Sequence, residues 1–399
     1  SKTDIEFRDQ KLDKISQSTE NSLSLTLFID NKYSSHSTND LRKEKLEKFI
    51  DTAVAGTKYL SRDEHRYLPD ASLYPHDDMP PIHIYDESYH SLTPEQKLEL
   101  AKKAQYAAES ADKKVISAAG SYYDYIYDAV KVNSNGFEGQ SSGTSFRVGA
   151  EVTVKDKDAR PEDYNSERAT HLSHIGDPAE IGTYCAQKAL NKIGQDKIAS
   201  GNYTMITENT AMFRLISMLL GPMNARSIQQ KRSFLEGKLN TKIAADLFTV
   251  YDDPFVEYGL GSRHWDGEGL AAKRFPLIEN GELKNYYIDT YYGRKLGMNP
   301  TTGGSSNLVF KTGQKSLDEL VSETNKAILV RSFIGGNSNG TTGDFSFGIS
   351  GSLVENGKIV QPISEMNISG NAMEFWNKLV AVANDDYKFS SWRVPSMVF

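Results

Sequence analysis

Apolar and polar residues alternate with two different periods in the first half of the chain. Residues 23–37 alternate with a period of two around Asp30-Asn31-Lys32, which is typical of two strands joined by a tight turn. Residues 38–60 then place apolar side chains at helical spacing. The period of two returns on both sides of Asn135-Gly136. These patterns predict two hairpins with a helix between them.

Two further helices begin with recognisable capping sequences. Thr93-Pro94 followed by Gln96 predicts a capping box with proline in the first turn. Asp177-Pro178 predicts a second capped helix, which carries Cys185 on its apolar face. Residues 61–92 contain four prolines and many acidic residues, so we expect an extended connector on the surface there.

Sheet patterns dominate from about residue 198. Two Asn-Gly turns, in ENGE at 279–282 and in ENGK at 355–358, are flanked by alternating apolar residues and predict antiparallel hairpins. Ser316 and Asn371 each precede a glutamate by three residues, and both predict short helices that begin with capping boxes.

The predicted fold class is α+β. An N-terminal mixed α/β domain is expected over residues 1–197, followed over residues 198–399 by a domain dominated by antiparallel sheet with a few helices. The chain opens at Ser1 without a methionine and enters a strand pattern almost at once. We therefore expect the natural N-terminus to lie upstream, and a removed signal peptide stays an open alternative.

Composition then disfavours several classes of function. The formal net charge is −7 and the pI is near 5.7, and the lysine-rich runs alternate with acids at helical spacing, so DNA or RNA binding is disfavoured. No apolar run approaches the length of a membrane span. Cys185 is the single cysteine, so an internal disulfide is excluded and we expect a cytoplasmic location.

The histidines argue against a zinc site in the second domain. No histidine lies between His174 and His264, and none follows His264, so too few imidazoles are present for the common hydrolytic zinc site. The best internal candidate is His171 with His174, Asp177 and Cys185. That pair lacks an adjacent glutamate base, so we interpret these histidines as packed or solvated. Cys185 is interpreted as a buried structural thiol rather than a nucleophile.

Two loops of the second domain are further candidates for chemistry. Asp266 and Glu268 lie beside glycines in RHWDGEG, where paired acids could exchange protons, but Asp and Gly are turn formers first. A turn with solvated acids is therefore favoured. The glycine-rich residues 335–351 lack the Gly-Lys-Ser/Thr ending of a phosphate loop and lead into a strand pattern. Close backbone packing or a peptide-binding edge is favoured there.

Several landmarks in fixed order resemble one known family. They are SNGFEGQ in the first domain, and in the second domain SFLEGKLNTKIAADLFTVYDDP, WDGEGLAAKRFPLIENGELKNYYIDTYYGRKLG and the run from GDFSFGISG to VAVAND. Together they are similar to the TldD/PmbA family, whose members are labelled in many genomes as modulators of DNA gyrase. The resemblance covers nearly the whole chain and lacks only a helix that usually precedes residue 1.

The segment MFRLISMLLGPMNARS, residues 212–227, distinguishes the two kinds of member in that family. TldD-type members carry His-Glu-x-x-x-His on a helix and a later cysteine, and the family implies zinc-dependent peptidase activity for them. The resemblance places Ser217, Met218 and Pro222 at the three motif positions. A neutral hydroxyl is a poor zinc ligand and a thioether suits softer metals. The chain therefore resembles the PmbA/TldE type, which has the fold without the metal.

The resemblance also implies partners and substrates. For the PmbA/TldE type it implies no catalytic residue, metal or cofactor in this chain, a TldD-type partner that holds zinc, and unfolded or short peptides as substrates. We predict a non-catalytic subunit that shapes the substrate cleft, and a homodimer in isolation. Exposed strand edges could hold an extended peptide. The cleft-lining candidates are Ser233, Phe234, Asp266, Glu268, Gly343 and Asp344.

Two alternatives stay open. One is a stand-alone peptidase with an unrecognised site. The other is a regulatory protein that binds gyrase or a component of a toxin–antitoxin pair.

Overall fold

The first half of the chain contains both strands and helices. A computed structural model describes residues 1–75 and 79–399. The elements of the first half are β1 (Lys2–Arg8), β2 (Lys11–Ser18), β3 (Leu23–Ile29), β4 (Lys32–Thr38), α1 (Lys43–Thr57), α2 (Pro94–Ser110), β5 (Val115–Val132), β6 (Glu138–Val154), β7 (Glu162–Ala169) and α3 (Pro178–Leu190). The capping box of Thr93 and Gln96 at the start of α2 is confirmed.

Short strands dominate the second half. Its elements are β8 (Thr204–Thr207), α4 (Asn209–Leu220), α5 (Ala225–Gln229), β9 (Val250–Asp253), β10 (Phe275–Glu279), β11 (Glu282–Leu283), α6 (Thr290–Leu296), β12 (Asn307–Phe310), α7 (Leu317–Ser322), β13 (Lys326–Ser338), β14 (Asp344–Glu355), β15 (Lys358–Asn371), α8 (Ala372–Trp376), β16 (Ala381–Val382), β17 (Trp392–Arg393) and β18 (Met397–Val398).

An antiparallel sheet in the order β2-β1-β5-β6-β7 forms the centre of the N-terminal half. Helices α2 and α3 cover one face, where Tyr122 and Phe146 of the sheet are fully buried against helix alanines. The two helices cross at Gly182, because a Cβ there would lie 2.0 Å from the carbonyl oxygen of Ala104. The hairpin of β3 and β4 stands apart from this sheet and packs on α1.

Two sheets form the C-terminal half, in the orders β11-β10-β9-β12-β17 and β15-β14-β13-β8-β18-β16. Their pairings are antiparallel except β12 with β17 and β8 with β13. The core between them buries α4 together with Phe248, Phe347 and Trp376. The predicted α+β class and the sheet-rich C-terminal half are confirmed. The boundary at residue 198 stays a prediction.

The connector lies mostly on the surface as predicted, but four of its described residues, Pro69, Tyr74, Ile82 and Asp86, are buried. The ring of Tyr74 lies 5.1 Å from that of Phe137, and its hydroxyl donates to Asn135 Oδ1 (2.6 Å). Ile82 is also buried, and its carbonyl accepts from the backbone N–H of Tyr258 (2.9 Å). Single apolar residues among prolines give no periodic pattern that would predict their burial.

Helix α8 is capped differently from its prediction. The Asn371 side chain accepts from the N–H of Met373 instead of closing a box with Glu374. The box at Ser316 and Glu319 is present as predicted. Among residues 1–75 and 79–399, no helix has both the length and the apolar character needed to cross a bilayer.

Candidate functional site

Helix α4 carries the segment that the resemblance aligns with a zinc motif. Its apolar residues at 212, 215, 216 and 219 share one face and are buried in the C-terminal core, which explains why this segment is helical. The helix ends at Leu220 because Pro222 has no N–H to continue the backbone ladder. The predicted end of the helix near Gly221-Pro222 is confirmed.

The three aligned positions do not form a donor set for zinc. Ser217 is exposed, and its hydroxyl donates to the carbonyl of Arg214 (2.7 Å). Met218 is 4% exposed and packs in the core. Pro222 is buried, and its carbonyl accepts from Ser233 Oγ (2.7 Å). In the part of the chain that the structure describes, no three His, Cys, Asp or Glu side chains are grouped to hold a metal. Zinc therefore does not fit this helix.

The histidine pair is packed rather than ligating. His171 and His174 lie edge-on to the ring of Tyr258, with centroids 4.9 and 4.7 Å away. Asp177 caps α3 through the N–H of Ala179 (2.8 Å), so it serves the helix. Burial lowers the pKa of His171 although Asp86 opposes that shift, and this favours the neutral ring. The interpretation of these histidines as packed side chains agrees with this geometry.

Cys185 is a structural thiol. It is fully buried in α3, and its Sγ donates to the carbonyl of Ala150 (3.2 Å). Burial raises its pKa to about 12, so the thiolate needed for nucleophilic attack is scarce at neutral pH.

Four of the six cleft candidates come together beside the turn that follows α4. The N–H of Phe234 donates to the carbonyl of Gly340 (2.9 Å), and its ring would lie 3.4 Å from a Cβ placed on Gly343. Gly343 has φ +85°, a conformation that favours glycine. Asp344 accepts from Thr342 Oγ1 (2.6 Å) and Asn371 Nδ2 (3.0 Å), bonds that lower its pKa. These residues hold the loop against α4 together with Ser233.

The other two candidates lie elsewhere. Asp266 is buried whereas Glu268 is half-buried and lines a cavity, so the prediction of a solvated acidic turn was wrong for Asp266. Asp266 is 5% exposed and accepts from the N–H groups of Glu268 (2.9 Å) and Leu270 (3.1 Å). The Glu268 carboxylate accepts from the N–H and hydroxyl of Thr290 at the start of α6. Burial raises the pKa of Glu268, and the two bonds from Thr290 oppose that shift. The predicted turn is present, but its two carboxylates accept hydrogen bonds from backbone N–H groups.

Two cavities lie next to these features. The larger, about 1380 Å³, extends from the β3–β4 hairpin and the outer part of β5 to Glu268 and α6. The smaller, about 730 Å³, is lined by Leu220 and Gly221 at the end of α4. Arg66 and Asp289 line both cavities. The end of the aligned helix and the acidic turn therefore border neighbouring cavities, and we refer to the two cavities together as the cleft.

An arginine stack stands where the two cavities meet. The guanidinium carbon of Arg66 lies 3.4 Å from the ring centroid of Tyr291 and 4.2 Å from that of Tyr33. Tyr33 belongs to β4, Arg66 to the connector and Tyr291 to α6, so three separate segments build this point. No sequence pattern marks these residues, and sequence reasoning missed them.

Strand β13 presents a backbone edge beside α4. Its pairing with β8 stops at Val330, while its pairing with β14 continues to Ser338. Residues 334–338 are exposed, and the Arg214 side chain of α4 donates to the carbonyl of Gly336 (2.7 Å). Positive φ angles at Gly335 and Gly336 interrupt the strand there, so an extended segment could pair with the edge only at residues 331–334.

Comparison with known families settles which fold this is. Residues 200–399 match the PmbA/TldA metallopeptidase C-terminal domain, residues 87–193 match the central domain and residues 1–56 match domain 1. The chain belongs to the PmbA/TldD family. Metalloprotease PmbA of Escherichia coli O157:H7 is 27% identical over 385 residues, which cover 96% of this chain and 85% of that protein.

Solved structures of PmbA/TldD-type proteins share the whole architecture. A Bacteroides thetaiotaomicron protein proposed to be a modulator of DNA gyrase is 43% identical, with a TM-score of 0.97 over 100% of this chain and 91% of that chain. TldE from Thermococcus kodakarensis is 22% identical, with a TM-score of 0.87 over 100% of this chain and 93% of that chain, and shares the fold. The resemblance stated from the landmarks is confirmed.

Proposed function

We propose that this PmbA/TldD-family chain is the metal-free subunit of a two-subunit, cytoplasmic metallopeptidase. A TldD-type partner would hold the zinc, and this chain would form one wall of the cleft that receives unfolded or short peptides. The main support is the segment of α4 and the turn after it, where an exposed serine, a buried methionine and a proline occupy the three motif positions. Without the partner we expect a homodimer.

Two features support an extended peptide as the ligand. The edge of β13 at residues 331–334, between the end of its pairing with β8 and the bulge at Gly335, lies beside α4 and could pair with an extended peptide. The cleft of the two cavities is long and is lined by both polar and apolar side chains, which suits a chain of varied sequence. Of the six cleft candidates, Glu268 lines the larger cavity, and we keep it as a contact residue. We assign Ser233, Phe234, Asp266, Gly343 and Asp344 to positioning of the surrounding loops.

Reconstitution tests the proposal. The chain is co-expressed with a TldD-type protein from the same organism, and an unstructured peptide with a fluorophore and quencher reports cleavage. We expect the two proteins to co-purify and to cleave only together. Activity should disappear with a chelator or when the partner's motif glutamate becomes glutamine. It should be unchanged by S217A here, because that hydroxyl bonds only within its own helix.

Two outcomes would favour the alternatives. Chelator-sensitive cleavage by this chain alone would establish a stand-alone peptidase. If no metal-bearing relative co-purifies and the chain instead recovers gyrase, the regulatory alternative would replace our proposal. That alternative is supported at present by the description of the Bacteroides protein.

A further inference from the structure

Arg66 differs from an ordinary surface arginine in how it is held. Its guanidinium lies near the faces of two tyrosine rings, at 3.4 Å and 4.2 Å from their centroids, and the residue is half-buried. Contacts with ring faces use the faces of the guanidinium plane and leave its five N–H donors free at the edge. Among residues 1–75 and 79–399, no acceptor or carboxylate lies within bonding distance of those donors.

Arg294 in the same cavity provides the contrast. Its guanidinium lies 3.4 Å from the ring centroid of Tyr67, so it is also stacked. Its N–H groups donate to the backbone carbonyls of His65 (3.0 Å), Tyr67 (2.7 Å) and Leu68 (2.8 Å). Arg294 therefore fastens the connector to α6. Arg66 has the same support from aromatic rings but no such bonds.

The carboxylates around Arg66 are occupied by other groups. Asp63 accepts from the hydroxyl of Tyr291 (2.7 Å) and pairs with Lys295 (3.0 Å). Asp289, which lines both cavities with Arg66, caps α6 through the N–H of Tyr292 (2.7 Å). The Arg66 guanidinium thus lies where the two cavities adjoin. Within the described residues, no ion pair neutralises its charge.

We propose that Arg66 binds a carboxylate of the peptide that occupies the cleft, either the C-terminal carboxylate or an acidic side chain. The planar guanidinium matches a carboxylate with two parallel N–H···O bonds, and the two tyrosines fix its orientation before the ligand arrives. This inference rests on the proposed peptide-binding function and makes Arg66 a specificity determinant of it.

The test measures binding of three decapeptides made of Gly, Ser and Asn, each with a neutral fluorophore at the N-terminus. The first has a free C-terminus and an internal Gln, the second an amidated C-terminus and an internal Gln, and the third an amidated C-terminus and an internal Glu. Fluorescence anisotropy gives the Kd of each for the full chain. We expect the second peptide to bind at least about tenfold more weakly than the first or the third.

Variants locate the preference. R66Q should bring the three Kd values within about twofold of each other, and R66K should retain part of the preference because it keeps the charge without the fork. The matched control is R232Q, which removes an exposed arginine that lines neither cavity and should leave the preference intact. Equal binding of all three peptides by the unaltered chain, no binding of any of them, or a preference that survives R66Q would each overturn the inference.

A measurement on the unaltered chain covers the case in which R66Q does not fold. A benzophenone next to the preferred carboxylate should cross-link to fragments that contain Tyr33, Arg66 or Tyr291, and labelling confined to other fragments would overturn the inference. Failure of the proposed function is separable. If the chain prefers carboxylate-bearing peptides but shows no partner-dependent cleavage, only the proposed function is refuted. If cleavage depends on the partner but no carboxylate preference is found, only the role of Arg66 is refuted.

Discussion

Replacing Met218 by glutamate tests whether the middle motif position belongs to the core. Met218 is 4% exposed among the apolar side chains that also surround Leu215 and Trp376. A carboxyl there is buried among apolar side chains, and the nearest cation along α4, the exposed Arg214, is bonded to the carbonyl of Gly336, so we expect the carboxyl to stay protonated. At pH 7, with an unfolded pKa of about 4.3, that costs about 3.7 kcal/mol at 1.36 kcal/mol per unit.

Loss of the methionine side chain adds to that cost. Its burial contributes roughly 1.5 kcal/mol or more, so M218E should lose about 5 kcal/mol of unfolding free energy at pH 7. This is comparable to the whole stability of many domains. The folded pKa of the new acid is raised above the unfolded one, so the penalty grows with pH between the two values. At pH 5 the protonation cost falls to about 1 kcal/mol.

Urea unfolding followed by tryptophan fluorescence measures this loss, because all three tryptophans, at 265, 376 and 392, lie in the C-terminal half. M218L controls for the change of side chain and should cost less than about 1.5 kcal/mol. S217E places the same acid on the exposed face of α4 and should cost less than about 1 kcal/mol. If M218E costs no more than S217E, or if its cost does not shrink at pH 5, Met218 is not a core residue and our account of the lost motif fails.

Three further predictions concern the N-terminal half. Asp124 is fully buried and pairs with Lys97 (2.5 Å), so D124N should lower the unfolding free energy by about 3 kcal/mol in urea, and a loss under about 0.5 kcal/mol would contradict a buried pair. Cys185 should stay unmodified by a thiol reagent at pH 8 until denaturant is added, because burial raises its pKa to about 12; rapid native labelling would show an accessible thiol. G182A should lower the melting temperature markedly, since its Cβ would meet a backbone oxygen at 2.0 Å, whereas G267A, with open space around it, should not.

Features with local causes were predictable from the sequence. Asp30 and Asn31 both adopt positive φ, as the tight turn between β3 and β4 requires. Asp and Asn tolerate this conformation well, so the turn could be predicted from the residue types. The boxes at Thr93 and Ser316 close within three residues of their start. The end of α4 follows from Pro222, which has no N–H wherever it stands.

Features that join distant segments were not predictable. The Glu268 carboxylate is held in place because Thr290, on another element, supplies two donors to it. The stack on Arg66 unites side chains from β4, the connector and α6. Periodicity describes which face of one element is apolar and carries no information about which elements meet. The cleft therefore became visible only with the assembled fold, and five of the six predicted cleft positions line neither cavity.

Strand β8 has a consequence for how this protein is made. Its residues pair on one side with β13, where Thr207 lies opposite Val330, and on the other with β18, where Ile206 lies opposite Val398. Both partners leave the ribosome long after residues 204–207, and closing such long loops is slow. For much of translation this apolar strand thus has two open edges that other nascent chains can occupy. The yield of folded protein should therefore rise with chaperone supply and with slower synthesis.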